Sequence, residues 1–551
     1  MSTVRADPAR PVRWALAQDA TAVRNAVSLT LPLAIGTALD RPAYGALAAI
    51  GAFTAMYSQN RPYRQRTRRW LLIAALLLLS FAAGLATGAS LWGGIIVIGV
   101  VAAVTTFATK VMGIGPPAGY MLVLACATGT HLPPDLSAAP GRLTLVALGA
   151  VGAFLVCSAG WFAAPDGPER RAVAEAARAV ATVLRSRGAD SHAALEQAAY
   201  RAIHEANIAV ILGSERGDRG RLIRVLQALR DLVDPKAREE SEQGDGVEGA
   251  AADEVDRIAT CLLGSWPLRR EVDPGSVGGT DAAVPLADLR AALAAAPGTS
   301  PSPRPFPGPL SLWRKRSPRA LRSGLRAGVA ATAAGCVAVA LQVDRPYWGA
   351  AAAVAVLAGD GTRATLVRGW NRFAGTVVGV LLAGGIIAME PDPVAIVVIV
   401  AGLQFVIQLV IKRSYGLAVV AITPLALLLA DAATGTLSTG DLLPRLLETA
   451  IGCALALLSR FLIFPNSSAK ALPSVLASVE RRLLEWTTAA GLPAPVREER
   501  RLAVERALLS LHDAVEAAKD EMFPHPGTTA LIDTANELLA RAWPLVTTTT
   551  G

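Results

Sequence analysis

Leu71–Leu79 reads LLIAALLLL, and Ala395–Leu409 reads AIVVIVAGLQFVIQL. A long helix in water shows a polar face about every 3.6 residues. These stretches have almost none, so lipid is the expected surrounding. A membrane helix needs about 20 mostly apolar residues. Six such runs lie within residues 22–164: Ala22–Leu39, Pro42–Ser58, Trp70–Ala89, Trp92–Thr109, Ala118–Thr130 and Leu143–Ala164. Six more lie within 325–464: Leu325–Val343, Pro346–Gly359, Phe373–Met389, Val394–Ile411, Tyr415–Ala430 and Leu446–Phe464. The expected fold class is all-α: a polytopic membrane protein with two six-helix repeats and helical cytoplasmic domains. The division is 1–21 (N-terminal segment), 22–164 (first repeat), 165–312 (insert), 313–465 (second repeat) and 466–551 (C-terminal region). Residues 1–21 are polar and contain Arg, with no short apolar core before a small-residue cleavage site, so no cleaved leader is expected.

Composition agrees. Of 551 residues 52% are hydrophobic and 18% charged, against about 25% charged in soluble globular proteins. The mean hydropathy is +0.42. A purely water-soluble enzyme is disfavoured. So are a disordered chain, because apolar content is high, and a disulfide scaffold, because there are five cysteines.

The net charge is +9, and its placement sets the topology. With the N-terminus inside, inner loops hold Arg61, Arg64, Arg66, Arg68, Arg69, Lys110, Arg363, Arg368, Arg372, Lys412 and Arg413. The outer side holds Arg41, Arg142, Arg345 and Arg445. The positive-inside rule favours this orientation, with both termini and both soluble regions in the cytoplasm of a multi-pass cell-membrane protein.

The two batches read as a duplication. Asp40–Ala46 (DRPAYGA) recurs as Asp344–Ala350 (DRPYWGA), 304 residues on, with five of seven positions identical. Arg24 then pairs with Arg326, Arg68 with Arg372, Lys110 with Lys412, Arg142 with Arg445, and Gly149 with Gly452, at separations of 302–304. Six spans is an even number, so both copies insert the same way and the repeat is parallel.

In the second copy Tyr347-Trp348 opens a short span. Arg372-Phe373-Ala374-Gly375-Thr376 follows with Gly379, then Lys412-Arg413-Ser414-Tyr415-Gly416, then Arg445 with Gly452. This pattern resembles the fusaric acid resistance protein family, also called the aromatic acid exporter family. The likeness covers both membrane batches and the insert. The first copy departs from it, carrying Leu71 where the second has Gly375. The resemblance implies efflux of small, often aromatic, organic acids.

The insert and the C-terminal region show amphipathic helical patterns at Arg170–Arg187, Ala193–Leu212, Arg221–Leu232, Ala287–Ala296, Ala469–Thr488 and Val496–Met522. The acidic run Glu239–Asp256 reads as an exposed linker, and Thr299–Pro309 as a Pro-rich tether. The two lobes are expected to pack together or to pair across a homo-oligomer. No P-loop, H-E-x-x-H or C-x-x-C occurs, so no cofactor, metal site or catalytic residue is expected, and the chain is not read as an enzyme. The basic stretch Arg314-Lys315-Arg316 with Arg319 and Arg322 directly precedes a span, which favours membrane lipid over nucleic acid as its partner.

Ionisable groups near the bilayer need a reason. Asp40-Arg41 and Asp344-Arg345 are either local ion pairs ending a helix or anion-binding arginines tuned by their acids. The Pro that follows starts a helix whose amides also favour anions, and Tyr44, Tyr347 and Trp348 add aromatic faces. The short second span of the second copy ends at Asp360. Arg363 and Arg372 beyond it are either an inner anion entrance or ordinary positive-inside residues; a guanidinium fork suits a carboxylate. Glu448, a turn past Arg445, has Leu145 as its counterpart. It is read either as a proton carrier, with Asp344 and Asp360 as further candidates, or as a carboxylate neutralised by Arg445. Thr423-Pro424 and Pro116-Pro117 mark helix irregularities. The expected substrate is a small organic anion.

Overall fold

The computed structural model describes residues 10–57, 61–115, 117–186, 192–213, 219–233, 245–263, 289, 291, 318–343, 345–359, 361–411, 413–434, 440, 442–464, 469–489, 491–521 and 527–547. Every regular element among them is helical. The first batch comprises α1 (Arg10–Ala38), α2 (Pro42–Ala52), α3 (Tyr63–Thr87), α4 (Leu91–Val111), α5 (Tyr120–His131) and α6 (Ala139–Ser158). The insert supplies α7 (Gly167–Arg185), α8 (His192–Ile211), α9 (Arg219–Val233) and α10 (Asp245–Leu263). The second batch comprises α11 (Pro318–Ala340), α12 (Tyr347–Leu357), α13 (Thr362–Ala388), α14 (Pro393–Val410), α15 (Tyr415–Thr434) and α16 (Leu442–Leu462). The C-terminal lobe holds α17 (Leu472–Thr487), α18 (Ala494–Lys519) and α19 (Thr528–Thr547).

Among the described residues seven helices are long and apolar enough to cross a membrane: those within α3, α4, α6, α11, α13, α14 and α16. Their outer faces expose Leu79, Val100, Leu155, Leu381, Val398 and Leu458. Such a belt is stable against hydrocarbon and not against water, so the chain is a membrane protein. Of the twelve expected spans, several are too short. The apolar helices Pro42–Met56, Tyr347–Leu357 and Tyr415–Ala430 fall below span length. With 11 residues, α12 reaches only about 16 Å, half of the roughly 30 Å hydrocarbon layer. It survives because it faces protein: Tyr347 through Val356 are all buried. Most of α2 and α5 is buried too. Short helices form the interior and long ones the lipid-facing shell.

The packing is reciprocal. The first helix of each batch lies on the fourth of the other (α1 on α14, α11 on α4), and the second on the fifth of the other (α2 on α15, α12 on α5). Within a batch, α2 packs on α6 as α12 packs on α16. Glycine permits these last two approaches: a Cβ on Gly149 would collide with the Ala48 carbonyl, and one on Gly452 with that of Gly349. Two more details recur at a spacing of 302. Asp40 and Gln342 leave the first helices in the left-handed region (φ 54° each). Ser90 and Asp392 cap the fourth helices, accepting from Gly93 N and Ala395 N.

Outside the membrane region, Val173, Val180, Ile203, Leu229 and Val255 centre the insert lobe. Leu472, Val504, Leu511 and Leu539 centre the C-terminal lobe. The linker read at Glu239–Asp256 is corrected in part, because Asp245–Asp256 belongs to α10. Ala252, Val255, Ile258, Ala259 and Leu262 form one buried face there, while Asp253 and Asp256 bind Arg185 at 2.9 and 2.5 Å. Between Asp245 and Asp256 five acids are interleaved with five apolar side chains and hide the helical spacing. The helix read at Ala287–Ala296 (apart from Leu289 and Ala291), the Pro-rich tether and Arg314–Arg316 lie outside the described residues.

The two lobes are packed together. Tyr200 stacks on Trp543 with ring centroids 4.9 Å apart. Buried Glu505 of α18 accepts from Arg230 of α9 and lies 2.9 Å from His204 Nδ1 of α8. The backbone N–H of Arg363 also reaches the Asp520 carbonyl at 3.4 Å, tying the start of α13 to the C-terminal lobe.

Candidate functional site

A cavity of about 660 Å³ opens where the two batches meet. The short or broken helices α2, α5, α12 and α15 wall it, with parts of α1, α13 and α14. One end, lined by Arg61, Arg69 and Arg368 with Arg171 and Glu175 of α7, lies beside the insert lobe. The other holds His131, Tyr347 and Trp348. The insert therefore forms part of the cavity mouth. Burial holds the Arg171 guanidinium below its ordinary pKa, and neighbouring Arg24 adds to the effect.

Arg372 is the central charge. It stands nine residues into α13 past Arg363 and is 1% exposed. Its Nη2 donates to the Tyr120 hydroxyl at 3.2 Å, its guanidinium carbon lies 5.4 Å from the Tyr120 ring centroid, and its Nε has no hydrogen-bond partner among the described residues. No described carboxylate forms an ion pair with it. A charge at mid-membrane costs about 2.5–3.5 kcal/mol on insertion scales. A planar guanidinium with no ion-pair partner among the described residues has the chemistry to hold a carboxylate.

Behind it lies a second layer. Arg445 is buried in α16, 4.1 Å from the Trp348 ring centroid, and donates to Thr449 Oγ1 at 3.2 Å. Glu448 is 1% exposed and within electrostatic range of Arg445 and Tyr347. The aromatic end is continuous: His131 to Tyr347 is 5.1 Å and Tyr347 to Trp348 5.5 Å between centroids. At the lobe end Arg368 lies over the Tyr415 ring at 4.3 Å. Arg372 and Arg445 outnumber Glu448, so the charged core of this layer is net positive.

The structure brings Tyr347, Trp348 and Arg372 into the cavity wall, with Glu448 just behind. Arg345 is half-buried at the start of α12. Arg363 is exposed at the lobe end of α13 and does not line the cavity. Arg41 and Tyr44 are exposed and contact each other, with 5.4 Å from guanidinium to ring. Asp344 and Asp360 lie outside the described residues. Sequence reading passed over Tyr120, His131, Arg368 and Gln404 as site residues. Arg368, one turn before Arg372, and Gln404, polar inside an apolar run, carried signals.

The two batches do not supply equivalent groups. Arg68, the sequence partner of Arg372, is exposed. Arg142, the partner of Arg445, is half-buried and donates to the Pro133 carbonyl at 2.7 Å. Leu145 stands where the second batch has Glu448. The buried charges around Arg372 therefore come from the second batch, while Tyr120, His131 and, at the lobe end, Arg61 and Arg69 come from the first. Among the described residues no cluster of three or more His, Cys, Asp or Glu is placed to hold a metal ion.

Residues 332–459 match the family described as "Fusaric acid resistance protein-like". The second batch is similar to a fusaric acid resistance protein-like domain. The match spans α12, α13, α14 and α15 whole, the last part of α11 and most of α16, so Trp348, Arg372, Gln404, Arg445 and Glu448 all fall within the matched residues. Over 530 residues the chain is 28% identical to the "Uncharacterized membrane protein YvaC" of Bacillus subtilis (strain 168), covering 93% of this chain and 82% of the relative. No solved structure matches the chain.

Proposed function

We propose that the protein is a cell-membrane exporter of small organic acids, aromatic ones included, with N- and C-termini in the cytoplasm and transport driven by the proton gradient. One observation carries the reading: a cavity between two helical batches encloses a buried guanidinium, Arg372, that no described carboxylate neutralises. A carboxylate entering from the lobe end passes Arg368 and reaches Arg372 and Tyr120. Its ring then meets Tyr347, Trp348 and His131. The fusaric acid resistance protein-like domain supports an efflux role. Glu448, buried beside Arg445, is the proton-carrying candidate, because an ionisable group inside a span marks a proton or substrate path and the charge balance of the pair decides whether it is protonated. An anion bound to the layer alters that balance.

Inverted membrane vesicles carrying the protein, energised and offered labelled benzoate, test this. Accumulation that collapses with an uncoupler is the expected result. Flux indifferent to the uncoupler would make the protein a passive anion channel. Absence of flux would leave a membrane scaffold whose lobes recruit partners.

A further inference from the structure

Gln404, in the middle of α14, is 1% exposed. Neither its amide nitrogen nor its oxygen has a hydrogen-bond partner among the described residues. Its side chain lines the cavity, with Ile407 and Gln408 one turn along the same face. Elsewhere the helix is apolar apart from its cap, reading PVAIVVIVAGLQFVIQLV. At the same spacing that relates Ser90 to Asp392, the first batch has buried Ala102. The amide is thus peculiar to the half of the protein that carries Arg372.

An amide in apolar surroundings is unfavourable unless something satisfies it, and hydrocarbon supplies nothing. None of the described side chains that line the cavity with it, polar ones included, reaches either amide atom with a hydrogen bond. The partner must therefore come from the contents of the cavity. Water fills that role in the empty state, and a ligand displaces it favourably only by reproducing its hydrogen bonds. A carboxamide offers both a donor and an acceptor, so it matches a hydroxyl or an amino group, and it carries no charge with which to hold the carboxylate. Arg372 and the Tyr120 hydroxyl already serve that purpose.

We propose that Gln404 is the specificity-determining residue of the cavity, reading a second hydrogen-bonding substituent on the transported acid. The preferred ligand is a single-ring carboxylate bearing a hydroxyl or amino group, in preference to its unsubstituted parent. This rests on the cavity being an organic-anion site. A polar site discriminates against the analogue that leaves its buried groups unpaired.

The test measures both transport and binding for benzoate and the sets of hydroxybenzoates and aminobenzoates. Transport is read in inverted vesicles and binding by equilibrium dialysis on the purified full chain. Gln404→Leu removes the amide at nearly constant volume from an apolar helix, and Val406→Ala, on the exposed face of the same helix and outside the cavity lining, is the control. The wild type is expected to favour at least one substituted acid over benzoate. Gln404→Leu should cut that preference roughly tenfold with a smaller effect on benzoate, and Val406→Ala should preserve it. An unchanged preference in Gln404→Leu, or an equal loss for benzoate, overturns the proposal. Binding with this pattern but no transport supports the proposal and overturns the export reading instead. No binding of any of these acids overturns both.

Discussion

Arg372 of the second batch donates to the hydroxyl of Tyr120 of the first at 3.2 Å, across 252 positions of sequence. The bond joins the two halves of the protein at the wall of their shared cavity. Arg372 is held by a neutral hydroxyl instead of an acid, so its positive charge remains available. The arrangement makes separable demands on charge, fork geometry and aromatic support.

Arg372→Ala is expected to lower export of benzoate at least tenfold with normal amounts of protein in the membrane, since charge-assisted hydrogen bonds contribute about 1.5–3 kcal/mol each. Arg372→Lys keeps the charge but loses the planar fork, and is expected to recover only part of the activity. Arg363→Ala, on the exposed start of the same helix, should leave transport unchanged. Initial rates in vesicles, normalised to protein by immunoblot, decide among these.

Glu448→Gln preserves shape and removes the titrating group. If Glu448 carries the proton, energised accumulation is lost while exchange of labelled for unlabelled benzoate persists, because exchange needs no net proton movement. Loss of both activities would assign Glu448 to folding or binding instead of coupling.

Gly452→Ala places a methyl group against the Gly349 carbonyl, where α12 and α16 meet. The helices must separate, at a cost of about 1–3 kcal/mol. Gly149→Ala should act likewise between α2 and α6. Thermal unfolding in detergent is expected to fall by several degrees for each, whereas Gly402→Ala, whose Cβ would meet nothing within 4 Å, should be neutral.

Glu505→Ala leaves Arg230 and the buried His204 edge without their carboxylate at the junction of the lobes. Breaking a buried pair from one side costs about 3–5 kcal/mol, so the lobes should lose resistance to limited proteolysis. The exposed Arg201–Asp513 pair, 2.6 Å apart, contributes at most about 1 kcal/mol, and Asp513→Ala should digest like the wild type.

The helical, lipid-facing shell was legible because hydrocarbon demands long apolar runs, and Leu71–Leu79 has no other use in water. The recurrence of Asp40–Ala46 at Asp344–Ala350 pointed to the paired short helices. Depth within the membrane was not legible. Arg363 and Arg372 read alike as inner positive residues, yet nine residues of helix carry one about 13 Å further in. Asymmetry escaped for a related reason: Arg68 matches Arg372 in register while the fold leaves it exposed. Tyr120 and His131 became site residues only through packing against helices of the other batch, which local pattern does not encode. In α10, acids that pair with Arg185 masked a buried face.

The cavity around Arg372 is proposed to hold an organic anion. Equilibrium dialysis of labelled benzoate against purified wild-type protein and Arg372→Ala tests it most directly. Saturable binding near one benzoate per chain, abolished in the variant at unchanged thermal stability, is the predicted result. Binding that is absent from the wild type, or equal in the two proteins, would contradict it.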